Sequence, residues 1–301
     1  MYKRILVPLD GSKLAEGILP TVARFAGGLK ARVDLLSVVE EDIVAAIANP
    51  TKGRYADQVG TSALTVARDY LTNIVGQLKL PKEQVKSTAK VANVPEAIVE
   101  EAEKERDTLI AMSTHGRSGV GRWVLGSVAD KVLHATKTPL LLYRSREEGG
   151  QRGASSELTT VVVPLDGSDM AEVILPHVEE LAKALDLRVH LVRVTSTMTE
   201  YYAGEGFYTY PVDLITELEN DAKAYLEKKA QELKARGVRN VTTQHLRGAP
   251  ALQIVDLVKE MRGSFVAICS HGRSGVGRWV LGSVADRVVT NAGAPALIVR
   301  G

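Results

Sequence analysis

Sixteen residues occur twice in this chain without a change: His-Gly-Arg-Ser-Gly-Val-Gly-Arg-Trp-Val-Leu-Gly-Ser-Val-Ala-Asp runs from His115 to Asp130 and again from His271 to Asp286. Each copy follows a short apolar run, Thr108 to Met112 or Ser264 to Ile268, and leads into an amphipathic segment. That order of strand, loop and helix is one in which backbone N–H groups can face an anion. A second repeat, Pro-Leu-Asp-Gly-Ser at Pro8 to Ser12 and at Pro164 to Ser168, keeps the same spacing of 156 residues between copies. Two halves of nearly equal internal length therefore read as the duplication and fusion of one fold.

The length of 301 residues agrees, since it exceeds one ordinary core and suits two domains of roughly 150 residues. We place the first domain at 1–145, a linker at 146–158 and the second domain at 159–301. Arg144 to Glu157 has no apolar periodicity and is rich in charge, glycine and serine, as a linker is. A formal net charge of +2 gives no reason to invoke nucleic acid, and no apolar run is long enough to span a bilayer. Cys269 is the only cysteine, which excludes an intrachain disulfide and a cysteine-clustered metal site. With an N-terminus that reads as a strand rather than a signal peptide, the expected location is the cytoplasm.

Along the first half the pattern predicts a strand from Lys3 to Leu9, one helix from Ser12 to Leu29, a strand from Arg32 to Val39 and an irregular stretch from Glu40 to Gly60. It continues with a helix from Thr61 to Leu78, a strand from Val85 to Lys90 and a helix from Pro95 to Arg106. A strand from Thr108 to Met112, the repeated loop, a helix from near Gly126 and a strand from Leu140 to Tyr143 complete the half. Strictly alternating strands and helices favour a parallel sheet covered on both faces. Pro95 and Pro250 both fall at helix starts, but the offset between them is 155, a slip of one residue. In the second half, five aromatics between Tyr201 and Tyr210 stand where the first half is alanine-rich; they read as a loop packed on its own domain or as a cover for a pocket.

In an open parallel sheet, ligands bind beyond the carboxyl ends of the strands, where the connections diverge to opposite faces. Asp10 and the segment from Ser113 to Gly121 end two strands that share one crevice if those strands are neighbours. The Pro-Leu-Asp-Gly-Ser text together with Gly-Arg-Ser-Gly-Val-Gly-Arg-Trp-Val-Leu-Gly-Ser resembles the universal stress protein family, in its ATP-binding branch and in tandem form. The resemblance implies two Rossmann-like (adenine nucleotide alpha hydrolase-like) α/β domains, each a five-stranded parallel sheet of order 3-2-1-4-5 with helices on both faces. It also implies an ATP signature of Gly, two residues, Gly, nine residues, Gly, then Ser or Thr. The second signature glycine matches Gly116 and Gly272, the third matches Gly126 and Gly282, and the hydroxyl matches Ser127 and Ser283. The first glycine is replaced by Ser113 in one half and by Cys269 in the other.

By the same resemblance, Pro8, Asp10 and Val38, with Pro164, Asp166 and Val194, surround the adenine and ribose end. His115, Gly116, Arg117, Gly119, Gly126, Ser127 and Val128, with His271, Gly272, Arg273, Gly275, Gly282, Ser283 and Val284, hold the phosphates. ATP, with Mg²⁺ bridging its phosphates, is the implied ligand. An intrachain pairing of the final strands and a further homodimer are implied too. Each residue also has a plainer reading. Asp10 can cap the first helix, the loop glycines can make turns, and the arginines can be solvated charges. Trp123 and Trp279 can pack under the loop, and His115, His271 and Cys269 can be structural. No Walker-type Gly-Lys-Ser/Thr sequence and no carboxylate partner for either histidine is present, so binding with slow turnover is expected rather than efficient hydrolysis. The competing functions are a nucleotide-independent interaction protein and a true ATPase or phosphotransferase.

Overall fold

The computed structural model describes residues 2–48, 51, 55–114, 125–143, 158–196, 201–203, 206–208, 212–270 and 281–301. It divides into two compact units, Met1–Ser155 and Ser156–Gly301. The first unit runs β1 (Arg4–Pro8), α1 (Lys13–Glu16), α2 (Leu19–Leu29), β2 (Arg32–Glu40), α3 (Glu41–Ile47), α4 (Ala56–Gln77), β3 (Val85–Ala92), α5 (Val94–Glu103), β4 (Thr108–Ser113), α6 (Ser127–Ala135) and β5 (Leu140–Tyr143). The second repeats it as β6 (Thr160–Pro164), α7 (Asp169–Glu172), α8 (Leu175–Leu185), β7 (Arg188–Thr195), β8 (Tyr201–Ala203), β9 (Gly206–Tyr208), α9 (Val212–Ala235), β10 (Val241–Arg247), α10 (Pro250–Glu260), β11 (Ser264–Cys269), α11 (Ser283–Asn291) and β12 (Ala296–Val299). Among the described residues, no helix is long and apolar enough to cross a membrane.

Each unit holds five parallel strands in the order 3-2-1-4-5: β3-β2-β1-β4-β5 in the first and β10-β7-β6-β11-β12 in the second. All six residues of β4 and of β11 are buried, as a strand covered on both faces requires. The sheet grows from β1 to β2 to β3 in one direction and then returns across β1 to β4. Right-handed crossovers place the helices of these two legs on opposite faces. Thus α2 and α4 pack on one side, and α5 and α6 pack together on the other.

Three expectations from sequence need correction. The single helix expected from Ser12 to Leu29 is two helices, broken at Gly17 and Ile18, and the second unit breaks at Val173 and Ile174. Pro20 and Pro176 are the cause: a proline ring collides with the carbonyl four residues back and has no N–H to give it, so the first helix must end at Glu16 or Glu172. The irregular stretch contains the short helix α3, and α4 begins at Ala56. The aromatic segment of the second unit instead carries β8 and β9, an antiparallel pair. The one-residue slip is real: Pro95 is the second residue of α5, after the Asn93 cap, whereas Pro250 opens α10.

The units differ at the amino ends of their strands. In the first, Arg4 is buried, and its Nε donates to Asp34 Oδ2 at 2.6 Å while its Nη1 and Nη2 donate to Glu101 O and Oε1 at 2.7 and 3.0 Å. Burial pushes the Asp34 and Glu101 carboxyls up, but their cationic partners more than offset it, so both lie below the usual carboxylate range. The second unit has Thr160 and His190 at the positions of Arg4 and Asp34. His190 is buried, with Nδ1 2.8 Å from Thr242 Oγ1 and Nε2 2.9 Å from Gln244 Oε1, and burial holds its pKa down. Burial also depresses His177 and His245 in the same unit.

The pH dependence of stability should separate the units. A histidine whose pKa is lowered on folding contributes stability that is complete above its unfolded value and is lost as pH falls below about 6.5. A carboxylate with a lowered pKa holds its contribution until about pH 4 and loses it below. Hydrogen exchange read by mass spectrometry between about pH 7 and 4.5 should show protection falling in β6, β7 and β10 before β1, β2 and β3. Simultaneous loss would show that the histidine contributions are negligible.

Candidate functional site

β1 pairs with β4, and β6 with β11, so the strands that lead into the two repeated motifs are neighbours in each unit. On the β1 side the ladder extends one residue beyond the strand: Leu9 N donates to Leu36 O at 2.8 Å, and Leu165 N to Val192 O at 2.9 Å. The chain then turns sharply. Asp10 Oδ1 accepts from Ser12 N at 2.9 Å, and Asp166 Oδ1 accepts from Ser168 N at 2.9 Å and from Ser168 Oγ at 2.6 Å. Between them Gly11 and Gly167 take φ of +85° and +89°, a region open to glycine at little cost. Ser12 and Ser168 cap α1 and α7 by accepting from Ala15 N and Ala171 N. The aspartates thus shape the turn rather than cap the helix, and α1 rests against β4.

On the β4 side the residues in place of the first signature glycine end their strands. Ser113 pairs with Tyr143, and its buried Oγ has no hydrogen-bond partner among the described residues. Cys269 pairs with Val299 and is buried. One residue later the chain is pinned at both ends of the repeated loop: Gly126 N donates to Thr114 O, and Gly282 N to Ser270 O, both at 2.7 Å. Residues 115–124 and 271–280, with the expected His115, Gly116, Arg117, Gly119, Trp123, His271, Gly272, Arg273, Gly275 and Trp279, lie outside the described residues. Gly126 and Gly282 are the N-cap positions of α6 and α11, and as glycines they supply no side-chain cap to the helix. The first-turn N–H groups, which include those of Ser127 and Val128 or Ser283 and Val284, have no partner within the helix and carry the positive end of its dipole. Val38 and Val194 lie near the ends of β2 and β7, paired with Lys90 and Leu246, and Pro8 and Pro164 close β1 and β6.

Three further groups at this edge were not anticipated. Tyr225 of α9 donates its hydroxyl to Glu172 Oε1 at 2.9 Å, and Lys229 Nζ reaches Glu172 Oε2 at 2.7 Å. Burial, and then the neighbouring Glu172, push the Tyr225 phenol up. In the first unit Tyr70 occupies the corresponding place, its pKa raised by burial and by the charges of Glu16 and Asp10. Tyr70 and Tyr225 sit 155 residues apart, and Glu16 and Glu172 sit 156 apart. Comparing the two halves letter by letter is the signal that would have found them. The third group, Arg193, has no counterpart: the first unit has Ser37 there. Its Cζ lies 4.9 Å from the Tyr225 ring centroid. A Cβ placed on Gly167 would meet its Nη2, Cζ and Nη1 at 2.9, 3.0 and 3.2 Å. Near-equal distances to all three atoms mean that the flat face of the guanidinium covers the turn.

Each edge therefore offers a backbone turn with a carboxylate on one side, the first-turn N–H groups of a helix with a glycine N-cap on the other and a tyrosine beside the turn. Such an arrangement suits an elongated ligand with hydrogen-bond donors at one end and negative charge at the other. The model of the Universal stress protein family matches residues 1–144 and 157–300. A universal stress protein of Methanocaldococcus jannaschii is 32% identical over 143 residues, covering 46% of this chain and 81% of its own length. One of Mycolicibacterium smegmatis is 22% identical over 299 residues, covering 98% of this chain and 96% of its own length. The crystal structure of a universal stress protein from Archaeoglobus fulgidus shares the fold throughout, with a TM-score of 0.70, 19% identity, and coverage of 100% of this chain and 99% of that one.

Gly167→Ala should destabilise the second unit by about 1–2 kcal/mol from its backbone conformation alone, and further by displacing Arg193. In an Arg193→Ser background the additional cost should vanish, as read by urea unfolding of the four variants in a double-mutant cycle. Equal costs in both backgrounds would show that Arg193 does not pack on the turn.

Proposed function

The chain belongs to the universal stress protein family, and from that premise we propose that it is a regulatory protein that binds ATP in the sheet-edge crevice of each half. The observation that carries the reading is the glycine N-cap of α6 and α11, which leaves the first-turn N–H groups without a cap from that residue, across neighbouring strands from the Asp10 and Asp166 turns. Ser113 fits the same ligand, because a buried hydroxyl at the strand end with no partner among the described residues is satisfied by a sugar or phosphate oxygen. Asp10 and Asp166 would accept from the ribose hydroxyls or the adenine amine. The backbone at Val38 and Val194 would meet the base, with Pro8 and Pro164 shaping that end. Ser127 and Ser283, with the N–H groups beside them, would hold phosphate oxygens.

Bound ATP supplies a triphosphate whose charge Mg²⁺ partly neutralises, and the chain's own part is to bind and orient it. In this reading no described side chain acts as a general base toward the phosphates, so occupancy, rather than turnover, is the signal passed to a partner. Calorimetry with ATP and with AMP should give saturable heat. Asp10→Ala should weaken binding in the first half about tenfold, the loss expected for a charge-assisted hydrogen bond, while Ser12 keeps α1 capped and the unit folded. The absence of heat from either nucleotide, with none carried through gentle purification, would overturn the reading and leave a nucleotide-independent interaction protein of the same fold.

A further inference from the structure

The turn that follows the first strand has the same shape in both units but not the same support. Gly11 and Gly167 share a positive φ, and Ser12 N and Ser168 N each donate to the aspartate two residues back at 2.9 Å. Ala15 N and Ala171 N then donate to Ser12 Oγ and Ser168 Oγ at 3.1 and 3.2 Å. Glycine enters the positive-φ region at little cost and leaves it as readily, so the turn is held only as firmly as its neighbours hold it. Those neighbours differ at three places: Ser37, Ile74 and Lys13 of the first unit correspond to Arg193, Lys229 and Asp169 of the second.

In the second unit one aromatic ring ties the turn down at two points. Arg193 of β7 lays its guanidinium against Gly167, with Nη2, Cζ and Nη1 at 2.9, 3.0 and 3.2 Å from where a Cβ would stand, and the same guanidinium lies 4.9 Å from the ring centroid of Tyr225 on α9. The Tyr225 hydroxyl donates at 2.9 Å to Glu172 Oε1, at the far end of the helix that the turn starts. Lys229 Nζ, largely buried, holds the other oxygen of Glu172 at 2.7 Å. Arg193 is half-buried and already engaged, so its part is to cover and to stack rather than to receive a ligand. For the Gly167 peptide to leave its positive φ, the guanidinium must first leave the ring, and a flat cation stacked on an aromatic face resists that.

The first unit lacks these side chains at the corresponding places. A serine at position 37 has no planar group to stack, and Ile74 is buried and carries no charge. Glu16 pairs at 2.7 Å with Lys13 of its own helix, and that exposed i,i+3 pair ties α1 to no other element.

We propose that Arg193 is a positioning residue: stacked on Tyr225, it locks the Asp166-Gly167-Ser168 turn in place before any ligand arrives, whereas the first unit's turn, without the lock, is the one whose conformation responds to occupancy. A ligand can shift only an equilibrium whose other state is populated. The second half of the proposal rests on the ATP reading, and in its terms the first unit reports nucleotide while the second is a pre-organised holder.

Hydrogen exchange of the full-length chain, read residue by residue, tests the two parts separately. Without nucleotide, the amides of Ser168 and Ala171 should be protected about tenfold more than those of Ser12 and Ala15, the effect of a partly desolvated cation–π contact. Arg193→Ser, which installs the first unit's residue, should remove the difference while β6 and β11 keep their protection. Equal protection of the two turns in the parent chain, or a second turn unchanged by Arg193→Ser, overturns the lock. If β6 and β11 lose protection in Arg193→Ser, Arg193→Lys keeps the charge without the flat face and should lower protection at Ser168 and Ala171 severalfold; unchanged protection there overturns the lock equally. Saturating ATP should then protect Ser12 and Ala15 severalfold further and leave Ser168 and Ala171 as they were, and in Arg193→Ser it should protect both pairs. A residue that merely stabilised the fold would not bring about that gain of response. ATP that binds with measurable heat yet protects both turns of the parent alike, or neither, overturns the division of roles. Absence of heat ends the ATP reading and that division with it, while the nucleotide-free comparison still decides the lock.

Discussion

The pairing of each unit's first strand with both its second and its fourth is the constraint on which the rest depends. A strand in the middle of a parallel sheet has neighbours whose connections leave in opposite directions, and right-handed crossovers then leave a gap between them at the carboxyl end. Pro8 and Pro164 end the strand at that gap, Leu9 and Leu165 add one more ladder hydrogen bond, and the Asp-Gly-Ser turn follows at once. The starts of α6 and α11, with glycine at the N-cap, follow the neighbouring strands β4 and β11. The crevice at the sheet edge is therefore a product of strand order before any side chain is chosen.

Side chains then decide how the two gaps differ. At the amino ends of the strands the first unit is tied by Arg4 to Asp34 and Glu101, and the second by His190 to Thr242 and Gln244. At the carboxyl ends the contrast reverses. The first unit places Tyr70 among the carboxylates of Asp10 and Glu16, and the second sets Arg193 and Lys229 beside Asp166, Tyr225 and Glu172. One backbone plan thus keeps the same pair of carboxylates at both copies of the turn and sets different cations beside them, Lys13 in the first unit and Lys229 and Arg193 in the second.

Much of this was legible in the sequence. Alternating apolar strands and amphipathic helices gave the strand count, and β5 falls on the residues expected for it, Leu140–Tyr143. The Asp10 and Asp166 turns and the helix starts at Ser127 and Ser283 also lie where the motifs put them. The breaks before Pro20 and Pro176 were written in the chain but were masked by apolar periodicity that continues through them. Tyr70, Tyr225 and Arg193 were hidden for a different reason. Their roles arise from packing of a long helix on strand ends about 30 to 60 residues away in the chain, which no local pattern encodes.

The hydrogen bonds from Gly126 to Thr114 and from Gly282 to Ser270 bear on the sixteen-residue repeat in another way. Because one hydrogen bond ties the end of the fourth strand to the start of the following helix in each unit, that junction is fixed by backbone groups at Thr114 and Gly126 or Ser270 and Gly282, and the closure entropy of a connection between such points grows only slowly with its length. The sixteen residues are nevertheless identical in length and letter in both halves, while β2 and β7 differ at Ser37 and Arg193.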